Sequence, residues 1–181
     1  MQLHTGGYFH IYNRSNGSEL VFREDENYLH FLRRYRHHAK SCLSTLAYCL
    51  MPTHFHFLVR VTSVDIAATQ QAIGRWLSSY TKAINVRYRR HGSLFQTNTR
   101  AKEVSDERYL LTVMTYIHQN PVRARLVERI EDWSFSSYPD LAGFRDGTLC
   151  DQTLISGYFS GAPEFREYSE KMVDRNSLRY E

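Results

Sequence analysis

Hydrophobic and polar positions alternate from the start of the chain. Tyr8, His10 and Tyr12 alternate with Phe9 and Ile11, the period of a strand, and the polar run Asn13-Arg14-Ser15-Asn16-Gly17 predicts a flexible turn that closes it. The period then changes. Tyr28, Phe31, Leu32 and Tyr35 fall at helical spacing behind the acidic Glu24-Asp25-Glu26, and the basic stretch from Arg33 to Lys40 suits the negative end of a helix dipole. From Leu46 to Thr62 the period returns to two. Leu46, Tyr48 and Leu50 alternate with Ala47, Cys49 and Met51, Pro52 and Thr53 interrupt, and Phe55, Phe57, Val59 and Val61 then alternate with His54, His56, Leu58 and Arg60. This is the pattern of a β-hairpin.

A second helix is predicted by Ile66, Ile73, Leu77, Tyr80 and Ile84, with Arg75, Lys82 and Arg89 recurring every seventh residue on another face. His91-Gly92-Ser93 stops it, and a strand or a strand plus loop follows between Leu94 and Val104. Ser105 has the chemistry of an N-cap for a third helix, whose buried side is Tyr109, Leu110, Val113, Met114 and Ile117 and which Pro121 ends or kinks. Strand, helix, strand, strand, helix, strand is the order of an α+β, ferredoxin-like βαββαβ sandwich, here with an additional helix behind it and a short helical or irregular tail. Trp133, Phe135, Tyr138, Leu141 and Phe144 predict a packed excursion against the domain. The charged segment Glu164 to Glu181 predicts a helix or a loosely held tail.

Composition adds the scale. With 181 residues, 42% of them hydrophobic, the chain suits one domain with its own core. No apolar run reaches the roughly 18 residues that a membrane span needs, and MQLHTGGYFH lacks the layout of a signal peptide, so a soluble, cytoplasmic protein is expected. Cys42, Cys49 and Cys150 are odd in number and show no C-x-x-C spacing, which predicts reduced thiols and no disulfide framework.

Charge changes the picture more. The formal net charge is only +4, yet from Ile66 to Lys102 there is no acid, while Arg75, Lys82, Arg87, Arg89, Arg90, Arg100 and Lys102 lie there with Trp76, Tyr80, Tyr88 and Phe95 among them. A one-signed surface carrying aromatics suits a polyanion whose bases can stack, against the alternative of a solvated helix face without acids.

Two candidate chemistries remain. On a strand, His54 and His56 emerge on the same side while Phe55 and Phe57 anchor the other, so the imidazoles can share one divalent ion; the alternative is a half-exposed strand that happens to carry two histidines. On the third helix Tyr116 and Asn120 lie four apart on one face. A phenol there could attack a phosphodiester polarised by a metal on His54, His56 and the Asn120 amide. It ionises near pH 10 and needs help from a cation or a base. Against this, Tyr116 could be a packing residue, Asn120 and Pro121 could open another helical turn, and His118 or Gln119 could serve as ligands instead.

Met51-Pro52-Thr53-His54-Phe55-His56-Phe57-Leu58-Val59 and Tyr116-Ile117-His118-Gln119-Asn120-Pro121-Val122-Arg123-Ala124 resemble the HUH strand and the catalytic-tyrosine block of the single-tyrosine HUH transposases, within them the REP-associated tyrosine transposases. Tyr8 to Arg14, Ser93-Leu94-Phe95-Gln96 and Trp133-Ser134-Phe135-Ser136-Ser137-Tyr138 support the likeness, which spans residues 6 to about 144. The resemblance implies an HUH catalytic domain over 1–145, including the tyrosine helix, and an extension over 146–181. It implies Tyr116 as nucleophile and His54, His56 and Asn120 as ligands of Mg²⁺ or Mn²⁺, without a small-molecule cofactor. Cleavage of single-stranded DNA at hairpins of palindromic repeats would leave a 5′ phosphotyrosine and a free 3′ hydroxyl that can rejoin another end, by a monomer or a homodimer. Asn13, Arg14, Arg75, Lys82, Arg87, Arg89, Arg90, Arg100, Lys102 and Arg123 are the residues expected on the DNA. Two departures stand out: Arg125 occupies a position where relatives often have glycine, and Gln96-Thr97-Asn98-Thr99-Arg100 replaces their usual Gln-Gly-Arg-Tyr-Lys. The other function class is a non-catalytic, ferredoxin-like nucleic-acid-binding or regulatory protein using the same basic surface. An RNA-recognition domain of this topology fits less well, because its aromatic motifs are not evident on the central strands.

Overall fold

The computed structural model describes residues 2–174 and Leu178. Four strands, β1 (Tyr8–Arg14), β2 (Leu43–Met51), β3 (His54–Val61) and β4 (Arg100–Glu103), form an antiparallel sheet in the order β2-β3-β1-β4. Helices α1 (Asp25–His38) and α2 (Ile66–Arg87) complete the βαββαβ order expected from the periodicities. Helix α3 (Glu107–Arg123) and three short helices, α4 (Tyr138–Leu141), α5 (Gln152–Ser156) and α6 (Ala162–Glu170), follow.

The alternation along β1 and β3 assigns each face of the sheet. Phe9, Ile11, Phe55, Phe57, Val59 and Val61 enter one core with Tyr28, Phe31 and Tyr35 of α1 and Ile73, Trp76 and Tyr80 of α2. Burying an aromatic or branched side chain of this size is worth about 1.5–3 kcal/mol, so this layer dominates the fold. Trp76 sits between the two helices and the sheet, with ring centroids 4.6 Å from Phe31 and 5.2 Å from both Phe55 and Phe57, and its indole N–H donates to the Phe31 carbonyl at 3.2 Å. Trp76, Tyr80 and Phe95 are all buried, so three of the four aromatics inside the basic run build the core and are not free to stack on bases. Tyr88 is half-buried and donates its hydroxyl to Glu24 and Asn27.

The opposite face is covered by α3, which packs Leu110, Val113, Met114 and Ile117 against Leu46, Ala47, Cys49, Met51 and Leu58. Leu46 was expected to share a face with Tyr48 and Leu50. A register shift between Thr45 and Ala47 turns it to the α3 side, since an extra residue in one strand reverses the alternation. Phe159 and Phe165, from the segment around α6, and Leu178 join this second core, so the extension packs on the back of α3.

Three boundaries differ from the sequence expectation. β1 runs on through Asn13 and Arg14, because the Asn13 side chain, 6% exposed, ties the strand end to the loop before β4: its Nδ2 donates to the Gln96 carbonyl and to Thr99 Oγ1, both at 3.0 Å. β4 is correspondingly short, and Phe95 makes only an isolated bridge to Ser15. The N-cap of α3 is Asp106, not Ser105: its carboxylate accepts from the Tyr109 N–H at 2.8 Å.

Pro121 neither ends nor kinks α3. A proline in the last turn removes one backbone donor, and the Asn120 side chain makes up for it, its Nδ2 donating to the carbonyls of Tyr116 at 2.9 Å and Ile117 at 3.3 Å. The helix closes in a Schellman arrangement, with Leu126 N–H bonded to the Pro121 carbonyl and Arg125 N–H to that of Val122, both at 2.9 Å. That motif puts Arg125 at φ 57, the left-handed region where a Cβ costs about 1–2 kcal/mol. Arg125→Gly is expected to raise stability by about 1 kcal/mol, less what glycine loses in unfolded-chain entropy. Urea unfolding of the two proteins checks this, and an unchanged or lower midpoint would remove strain at Arg125 from the account.

Candidate active site

The pairing of β1 with β3 sets Tyr12 opposite His56 and Arg14 opposite His54, on the face that α3 covers. α3 crosses that face with Tyr116 directed at the histidines: the rings of Tyr116 and His56 meet edge-on, with centroids 6.1 Å apart, and those of His54 and His56 lie 5.1 Å apart, also edge-on. His54, His56, Tyr116 and Asn120 thus line one cavity of about 710 Å³, together with Tyr12, Arg14, Thr53, Gln96 and Arg123. The four residues singled out for chemistry are brought together by one strand and one helix.

Each nitrogen of the two imidazoles has a distinct setting. His54 Nδ1 is 3.0 Å from Thr53 Oγ1, and His56 Nδ1 is 2.9 Å from Nε2 of His10. His56 Nε2 is buried and meets no hydrogen-bond partner among the described residues. Burial lowers the pKa of His54, helped by the guanidinium of Arg14, and burial with the neighbouring His10 and His54 lowers that of His56 well below its ordinary value. Both rings are therefore neutral at physiological pH, the state in which an imidazole can ligate. The Asn120 N–H groups are spent on helix carbonyls, which leaves the amide oxygen as its remaining end. An unpartnered ring nitrogen, two neutral imidazoles and an amide oxygen on one cavity wall fit a divalent metal ion.

The residues expected on DNA fall into separate groups. Arg14 lines the cavity of His54, His56 and Tyr116 and is exposed; Arg100 and Lys102 of β4 stand opposite Tyr12 and His10 and extend the same face, both exposed. Lys82 and Arg89 line a second cleft of about 830 Å³, between α2 and the loop before β4, and Gln96 borders both cavities. Arg89 lies beyond the end of α2, so only Arg75 and Lys82 of the expected ridge are helical. Two cations of the basic run have acidic partners from outside it. Arg90 lies along the second cleft but is held by Glu19 at 2.9 Å and by Asn85, and Arg87 pairs with Glu24 at 2.6 Å. Arg75 is exposed on α2. Asn13 is buried and holds the loop, as above.

Arg123 does two things. Its guanidinium stands 5.8 Å over the Tyr116 ring, and it donates to Gln119 Oε1 at 3.0 Å and to the Val173 carbonyl. Gln119 in turn donates to the carbonyls of Ser169 and Lys171, both at 2.9 Å. Neither Gln119 nor His118 is among the residues lining the cavity; His118 is buried on another side of α3, against Tyr138 and Phe165 and 2.8 Å from Ser137 Oγ. Tyr12, Thr53 and Gln96 line the cavity and His10 stands beside His56, and none of the four is among the site residues expected from the sequence. The signal for His10 was present, a histidine at the middle position of Tyr8-His10-Tyr12, but its meaning depends on which strand lies beside it.

Fold and site together define a ferredoxin-like sheet that presents a His-Phe-His strand to a tyrosine-bearing helix. The chain is similar in sequence to a curated protein of Haemophilus influenzae named as a REP-associated tyrosine transposase, with 29% identity over 103 residues, 52% of this chain and 58% of the relative. The chain therefore spans less than two thirds of that relative's length. In fold it is similar to a solved REP-associated tyrosine transposase bound to a REP hairpin, with a TM-score of 0.61 and 16% identity, covering 83% of this chain and 92% of that one. No family model matches the chain. The solved structure shares the fold of this chain, and the relative in sequence carries the name of the group that the histidine strand and the tyrosine block resemble. Among the described residues no helix is long and apolar enough to cross a membrane.

Proposed function

We propose that this protein cleaves and rejoins single-stranded DNA at hairpins of palindromic repeats through a phosphotyrosine intermediate. One observation carries the reading: Tyr116 of α3 and His54 and His56 of β3 line the same cavity, with Asn120 one turn from the tyrosine. In the forward step the Tyr116 oxygen attacks the scissile phosphorus. A new bond joins that oxygen to phosphorus, the bond from phosphorus to the 3′ oxygen breaks, and the phenol's proton passes to solvent while the 3′ oxygen gains one. The product is a 5′ phosphotyrosine and a free 3′ hydroxyl, and attack of another 3′ hydroxyl on that ester reverses the step without outside energy. Mg²⁺ or Mn²⁺ held by His54, His56 and the Asn120 oxygen would supply positive charge to the phosphate and to the ionising phenol. Arg14, at the cavity wall, adds a cation for the DNA backbone, and the second cleft, lined by Lys82 and Arg89, adjoins the first at Gln96 and extends the path for the strand. Tyr116 lines the cavity of its own chain's histidines, which supports a monomer as the acting unit.

The basic cleft also supports a plainer reading, a nucleic-acid binder with structural histidines. Incubating the protein with labelled single-stranded hairpin oligonucleotides drawn from repeats flanking its own gene, with Mn²⁺, Mg²⁺ or chelator, separates the two on a denaturing gel. The expected result is a covalent protein-DNA adduct that chelator abolishes. Salt-sensitive binding without an adduct, under every metal, would favour the binder.

A further inference from the structure

We infer that His10 is a positioning residue that fixes the tautomer of His56 and so presents the bare Nε2 of His56 to the cavity. The inference rests on the reading of His56 as a metal ligand, and it deepens that reading. His10 lies on β1 opposite Leu58, diagonal to His56 across the β1-β3 pair, where side chains two residues apart on neighbouring strands still touch. Its ring is 2% exposed, stacked with that of His56 at a centroid distance of 5.0 Å and tilted against that of Tyr12 at 4.8 Å, so packing holds it in this orientation. Its Nε2 stands 2.9 Å from His56 Nδ1.

Two neutral imidazoles at that distance share one proton, in one of two ways. If His10 Nε2 carries it, His56 must hold its own proton on Nε2, which leaves a buried N–H with no acceptor among the described residues and no lone pair for a cation. If His56 Nδ1 carries it, His10 accepts, and His56 Nε2 keeps its lone pair toward the cavity. Only the second arrangement can ligate. An acceptor behind a ligating histidine also makes the ring more basic toward the metal, a role that carboxylates and carbonyls usually fill and that an imidazole fills here. The Thr53 hydroxyl beside His54 can donate or accept, so it sets no tautomer by itself.

The test uses the full-length protein and two readouts. Two-bond ¹H–¹⁵N NMR of the metal-free wild type is expected to show His56 protonated on Nδ1 and bare on Nε2. In His10→Phe, which keeps an aromatic ring and loses the acceptor, that tautomer should no longer dominate, and Mn²⁺ affinity measured by electron paramagnetic resonance should fall about 10- to 100-fold. His10→Gln, whose amide oxygen can take the place of Nε2, should recover part of the loss, which a merely structural role for the ring would not predict. A wild-type His56 protonated on Nε2, or a folded His10→Phe with Mn²⁺ affinity within about twofold of wild type, overturns the inference. If wild type binds no Mn²⁺ at all, the ligand reading of His54 and His56 fails, and the NMR tautomer still decides the part played by His10. Should His10→Phe not fold, the wild-type spectrum and His10→Gln carry the decision.

Discussion

Tyr116→Phe is expected to abolish the covalent adduct, lowering its rate of formation by at least about a thousandfold, while hairpin binding and thermal stability stay close to wild type. The expectation of intact structure comes from packing. Tyr116 is 4% exposed in the second core, its ring set edge-on to His56 and under the guanidinium of Arg123, and phenylalanine keeps all of that ring surface. The expectation of lost chemistry comes from the single atom removed, since the cavity around His54 and His56 contains no other hydroxyl on α3. Among the described residues Tyr12 is the one further phenol lining the cavity, on β1 beside the histidines, and it supplies the control: Tyr12→Phe should still form the adduct. An adduct that persists in Tyr116→Phe and vanishes in Tyr12→Phe would move the nucleophile to β1. Loss of binding in Tyr116→Phe would instead mean that the hydroxyl serves recognition.

Most of the fold could be read from the chain because its period changes cleanly, from two at Tyr8 to Tyr12, to helical spacing at Tyr28 to Tyr35, and back to two at Phe55 to Val61. The pair His54 and His56 was legible for the same reason: on a strand, spacing of two places both rings on one face. Trp76 was legible too, three residues from Ile73 and four from Tyr80 on the apolar stripe, which places it in the core whatever charge surrounds it in the chain. What the sequence did not display was set by contacts far apart in the chain. The bulge at Thr45 to Ala47 answers to α3 packing on β2. Arg87 and Arg90 owe their state to Glu24, at the edge of α1, and Glu19, before it. Pro121 stays inside a helix because Asn120 supplies the missing donor, a local solution that the proline rule alone hides. His10 acquires meaning only through the register that sets β1 beside β3, and Arg123 only through the carbonyl of Val173, fifty residues on.

Acid should unfold the metal-free protein well above the range in which its carboxylates titrate. His10 and His118 are buried, and burial depresses the pKa of each from 6.5 to about 3. A group whose folded pKa lies below its unfolded value leaves the protons to the unfolded chain, so stability is full above about pH 6.5 and falls as pH drops toward 3. The slope is about 1.4 kcal/mol per pH unit for each histidine, roughly 2 kcal/mol each between pH 7 and 5, and His56 acts in the same direction. Against a domain stability of about 5–15 kcal/mol this is a large share. The depressed carboxylates Glu24, Asp132, Asp151 and Glu164 add to the loss only at lower pH, below their ordinary values of 4.5 and 3.8. Urea unfolding at pH 7, 6 and 5 measures the slope, and His118→Gln separates the contributions. His118 lies on another side of α3, away from the cavity, with Nε2 bonded to Ser137 Oγ, and glutamine can offer that hydroxyl a partner without titrating. The variant should be less stable than wild type at pH 7 and lose about 2 kcal/mol less on going to pH 5. Equal losses in the two proteins would mean that His118 protonates in the folded state, through an opening of the α3 and α6 contact that admits water. A flat profile in wild type would mean the same for His10 and His56, and with it a cavity wetter and looser than the packing of β1, β3 and α3 implies.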